Sequence, residues 1–136
     1  KAEFRFISLS GGQPNFSHDL SRPALTNLYN SPVYNVERVV RPLGSSSAGA
    51  GPFSHSGVRV TLPDNSQYLV HKGPGYGISS QTVVTDARHM SSAWQVESSK
   101  DFQGTKTVAD FVKTGGSNYN VLTDNCHQAS NRMMKQ

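Results

Sequence analysis

The chain has 136 residues, of which 35% are hydrophobic and 16% charged, and it carries a formal net charge of +4. That length supports one domain with a core of its own, without metal or disulfide staples. No apolar run approaches the ~18 residues that cross a bilayer. The 13 Lys and Arg residues never form a run of three and show no stripe interleaved with aromatics, which leaves an RNA-binding protein as a minor reading and permits weak, non-specific contact with RNA or an anionic membrane surface.

Taken in order, residues 1–7 alternate apolar Ala2, Phe4 and Phe6 with polar neighbours and predict a strand. Gly11, Gly12 and Pro14 end it, and His18 falls in an irregular stretch as an exposed loop histidine. Residues 21–29 predict a short helix capped by Ser21, with Pro23 in its first turn. Residues 34–42 predict a strand closed by Pro42, and the Gly- and Ser-rich stretch from Gly44 to Gly51 reads as a flexible connection. Residues 54–72 form the clearest hairpin. Ser56, Val58, Val60 and Leu62 alternate with His55, Gly57, Arg59 and Thr61, and the return strand carries Tyr68 and Val70 on its apolar face. Pro63-Asp64-Asn65 fits a type I turn followed by a left-handed Asn. This register sets Val60 against Tyr68, Val58 against Val70 and Gly57 against His71. His55 and His71 then share the face away from the valines, as diagonal neighbours about 7–8 Å apart.

Residues 81–85 and 93–97 are further strand candidates, joined by a link in which His89 reads as a surface or turn residue. Residues 105–113 predict a helix with Val108, Phe111 and Val112 on one face, stopped by Gly115-Gly116. The segment from Asn120 to Met134 runs from an extended stretch into a helix capped by Asp124 or Asn125, with Ala129 and Met133 stacked at i, i+4.

Cys126 is the only cysteine in the chain, so it cannot close an intramolecular disulfide and gives no sign of an oxidising compartment. The predicted helix start places it among unpaired amide N–H groups, where a thiol ionises more easily. The same residue also reads as a small buried hydrophobe under the final helix. A thiol nucleophile needs a base, and the base works best when a third polar group orients it. The candidate assembly is Cys126 as nucleophile, His55 as its base, His71 as orienter, and the Cys126 N–H as oxyanion donor. A metal site would draw on His55, His71, His89, Cys126 and His127, but no pair has the short spacing of a zinc motif. His127 follows the thiol directly, points about 100° away from it and reads as a first-turn surface histidine. No cofactor is implied.

His55-Ser-Gly-Val, then His71 sixteen residues later, then Asn125-Cys126 opening a helix, resembles the H-box/NC signature of the lecithin:retinol acyltransferase-like superfamily. The resemblance covers Phe53 to Met134. It implies an α+β fold of circularly permuted papain-like type, in which an antiparallel β-sheet carrying both histidines packs against helices, one of them beginning at the cysteine. It also implies a site of His55, His71 and Cys126 supported by Asn125. Read this way, the chain is a single domain over 1–136, with a strand and loop extension at 1–52 and the H-box/NC core at 53–136.

Cellular acyltransferases of this superfamily carry a bulky aromatic after the first histidine and another three residues after the cysteine, where this chain has Ser56 and Ala129. A chain opening on Lys1 and closing on Gln136 looks like a piece cut from a polyprotein after Gln. In length and motif order it is similar to the H-box/NC type of picornavirus 2A protein, kobuviral ones above all. That kinship implies a host-cytoplasmic protein supporting viral RNA replication through host or viral replication proteins, without the self-cleaving protease activity of other 2A types and with a Cys-His site that either performs thiol acyl chemistry or survives as a binding scaffold. The alternative is an active cysteine hydrolase or acyltransferase working through an acyl-Cys126 intermediate.

Overall fold

The protein is described by a computed structural model over residues 21–42, 54–72, 82–116 and 125–136. The strand expected at 1–7, His18, the connection at 44–51 and the approach to the final helix at 117–124 lie outside the described residues. In chain order the elements are α1 (Arg22–Tyr29), β1 (Pro32–Pro42), β2 (Ser54–Thr61), β3 (Gln67–Lys72), β4 (Thr82–Asp86), β5 (Gln95–Thr107), α2 (Val108–Gly115) and α3 (Cys126–Met134). The five strands form one antiparallel sheet in the order β4-β3-β2-β1-β5. The class is α+β.

The hairpin follows its turn chemistry. Asn65 N–H donates to Leu62 O at 2.9 Å, Asn65 takes φ 70°, and Asp64 Oδ1 accepts from Ser66 N at 3.0 Å. Val60 pairs with Tyr68, Val58 with Val70 and Gly57 with His71, the register that the alternation predicts. Each helix starts on a side-chain cap: Ser21 for α1, Thr107 with Asp110 for α2, Asn125 with Gln128 for α3. Gly116, at φ 82°, ends α2.

Two predicted boundaries move. Residues 105–107 belong to β5 and not to the helix, because Thr107 is the cap, and β5 itself runs well beyond the stretch expected at 93–97. Residues before 53 also contribute more than an extension: β1 lies inside the sheet, paired on one side with β2 and on the other with β5.

All three helices pack on one face. Leu28 and Tyr29 from α1, Phe111 and Val112 from α2, and Ala129 and Met133 from α3 share a core with Val36, Val58, Val60, Val70 and Val84 of the sheet. Val39, Leu69 and Val83 point to the opposite face and are buried there, outside that core.

Candidate functional site

His55 and His71 meet as their register requires. One lies on β2 and the other on β3, and His55 Nε2 stands 3.1 Å from His71 Nδ1. The rings cross edge to face, with centroids 5.1 Å apart. Both residues are buried, at 5% and 1% exposure. The space is kept by Gly57, directly opposite His71, where a Cβ would fall 2.8 Å from His71 Cβ. Trp94 packs against His55 at a centroid distance of 5.7 Å, and the Arg41 guanidinium lies over the Trp94 ring at 5.3 Å.

This setting disfavours imidazolium. Loss of water lowers the His55 pKa from 6.5 to about 3, with the Arg41 and His127 charges adding to the effect. Burial likewise holds His71 well below its ordinary value, helped by His55 and Arg41. A pair of neutral imidazoles sharing one N–H···N bond is the form that this environment stabilises.

Cys126 occupies the first position of α3, as the sequence predicts, and Asn125 is its cap. Asn125 Oδ1 accepts from His127 N at 2.9 Å and from Gln128 N at 3.2 Å. Gln128 Oε1 returns the favour to Asn125 N at 3.1 Å. Two of the first-turn amides that could serve an anion are therefore already taken by the cap. Cys126, Ala129, Ser130 and Met133 form the buried stripe of the helix, so the thiol faces the sheet and is 4% exposed.

The side of the sheet that it faces follows from strand parity. Ser56, next to His55, has its hydroxyl 3.0 Å from Ser130 Oγ and 2.7 Å from His127 Nδ1, both on α3. Alternate residues of a strand point to opposite faces, so α3 covers the face of Ser56 and Val58, whereas His55 and His71 project from the other. The structure brings the two histidines together. Among the described residues no hydrogen bond joins Cys126 to either histidine.

What does lie beside the thiol is a polar chain that sequence reasoning passed over. Arg38 Nε donates to Ser130 Oγ at 3.0 Å, Arg38 Nη2 donates to Ser56 Oγ at 3.4 Å, and Arg38 Nη1 pairs with Glu97. His127 closes the other end through Ser56, with Ser54 Oγ 3.4 Å from its Nε2. His127 is thus half-buried and engaged, not the surface histidine expected. The signal was present in the alternation. Arg38 sits between Val36 and Val40, and Ser56 beside Val58, all on the core face, while Ser130 falls on the buried stripe of α3. Polar residues at core positions on three elements imply a shared network.

No group of three or more His, Cys, Asp or Glu side chains among the described residues is placed to hold a metal ion. No described helix is long and apolar enough to cross a membrane. No protein-family model, curated protein or solved structure matches this chain.

Proposed function

We propose that this chain is an H-box/NC protein of the picornavirus 2A type, supporting viral RNA replication in the host cytoplasm through replication-protein partners, with a Cys-His constellation that is structural and not catalytic. The circularly permuted papain-like fold belongs to the same proposal. It is supported by both histidines standing on adjacent antiparallel strands and by a sheet-packed helix that opens at Asn125-Cys126.

The observation that carries the non-catalytic reading is that, among the described residues, the two histidines hydrogen-bond each other and neither hydrogen-bonds Cys126. His55 and His71 share a hydrogen bond and project from the sheet face opposite the one that α3 covers. A base must reach the proton that it removes. Even within reach, a histidine held at about 3 is a poor acceptor for a thiol proton ordinarily lost near pH 8.5.

The test is intact-protein mass spectrometry after incubation with activated acyl esters and a mild thiol alkylator, comparing wild type with His55→Ala from pH 5 to 9. The expected result is no acyl adduct that depends on His55, and alkylation of Cys126 no faster than that of a free thiol. A folded Cys126→Ser chain is expected to support replication as wild type does. Acylation of Cys126 that is lost in His55→Ala would instead establish a cysteine hydrolase or acyltransferase with an acyl-Cys126 intermediate.

A further inference from the structure

The polar chain under α3 has two proton arrangements. With His127 neutral, its Nδ1 accepts the Ser56 hydroxyl at 2.7 Å and its Nε2–H points to Ser54 Oγ at 3.4 Å. Ser56 and Ser130 in turn accept from the Arg38 guanidinium. With His127 protonated, Nδ1–H must donate to Ser56 Oγ, so the Ser56 hydroxyl has to swing to Ser130 Oγ at 3.0 Å. The Ser130 proton then goes to His127 O at 3.2 Å. Every hydrogen bond survives the reversal. What changes is charge: a second cation appears one serine away from Arg38.

We propose that His127 is an acid-sensitive latch, holding the first turn of α3 on the sheet while neutral and releasing that turn, together with Cys126, when protonated.

The latch stands on geometry. The strand residues that grip His127 belong to β1 and β2, interior strands of the sheet that pair with each other from Val36–Val60 to Pro42–Ser54, so they cannot retreat from the new charge. The first turn of a nine-residue helix can. Charged and titratable groups around α3 act unequally. β1 brings Arg38, β5 brings Glu97, β2 brings His55 from the opposite face, β3 brings Lys72, and α2 brings Asp110 and Lys113. Burial is the largest influence on His127 and lowers its pKa; Arg38 adds to it, while a hydrogen bond to the Ser54 backbone and the Glu97 charge favour the imidazolium without reversing the balance. Glu97 is half-exposed and already engaged by Arg38, which limits how far it offsets a second positive charge.

The readout is the reaction of Cys126 with dithiodipyridine, which continues to attack thiols in acid, normalised at each pH to a small reference thiol. In the wild-type chain the normalised rate is expected to rise about tenfold between pH 7.5 and 5, while far-UV circular dichroism stays unchanged. His127→Gln keeps polar atoms at the site and cannot titrate, and its normalised rate is expected to stay flat. It also retains His55 and His71, so opening caused by that pair would appear equally in both chains. A flat wild-type rate, or an equal rise in the variant, overturns the latch. Should the variant fail to fold, amide exchange in the wild type decides. Acidification is expected to speed exchange across His127–Ser130, beyond the intrinsic pH effect, and to leave Phe111 and Val58 protected. Titration of His127 with α3 protection unchanged, or no titration above pH 4, overturns the proposal. This inference concerns access to the thiol and holds whether or not Cys126 does chemistry.

Discussion

Gly57 shows how much one missing side chain decides. It is buried in β2 opposite His71, and a methyl there would meet His71 Cβ at 2.8 Å and the Val70 carbonyl at 2.9 Å. Neither atom belongs to a flexible chain end, so the hairpin itself has to give. Gly57→Ala is expected to destabilise the fold by roughly 1–3 kcal/mol, the usual range for overpacking, as read from the urea midpoint. The glycine, the histidines and their shared face were all legible in the alternation of 54–72, because a period of two fixes which side chains are neighbours. The partner of Cys126 was not legible. Parity alone had already put the histidines away from the valines, and the stacking of Ala129 with Met133 had put the thiol toward a core. Only the packing of α3 revealed which face of the sheet its buried stripe covers.

At the scale of elements, helix starts were readable and lengths less so. Ser21 and Asn125 cap where their chemistry indicates, whereas β5 carries a polar, largely exposed sequence from Gln95 to Asp101 that pairs through its backbone. Such a strand leaves little hydrophobic pattern to find. Tertiary pairing with β1 makes it a strand. The clasp between α2 and α3 was equally hidden, since it joins a side chain to carbonyls. Arg132 donates to Thr114 O at 3.1 Å and to Gly115 O at 3.0 Å, meeting the last carbonyls of α2, where a cation is favoured. Arg132→Met retains a long apolar stem and loses both bonds. The expected cost is about 1–3 kcal/mol, measured by urea denaturation, with faster amide exchange at the end of α2.

Across the whole molecule, three histidines share one tendency. His55, His71 and His127 are all held below the ordinary value, chiefly by burial. A base held low in the folded chain binds protons more weakly there than in the unfolded chain. The stability that it contributes is complete above pH 6.5 and is lost as pH falls from 6.5 toward the folded value. For His55 that window runs from 6.5 to about 3. At ~1.4 kcal/mol per pH unit, it alone removes about 2 kcal/mol by pH 5, and His71 adds to the loss. The urea midpoint is expected to fall by about 1 M between pH 7.5 and 5, and His55→Gln should flatten that slope. A midpoint indifferent to pH would mean that the pair is not neutral in the native state.

The strand order carries a consequence for synthesis. β1 to β4 form a meander in which each strand meets the next to emerge, but the outer edge of β1 is reserved for β5, more than fifty residues later in the chain. Until residues 95–107 have left the ribosome, that edge displays unpaired backbone beside Val33 and Val36. Unpaired edges of this kind recruit foreign strands, and late, long-range closure slows folding. The polar sequence of β5 then gives the sheet, among the described residues, an outermost strand of charges and serines, so the growing chain is adhesive along a line that β5 later covers.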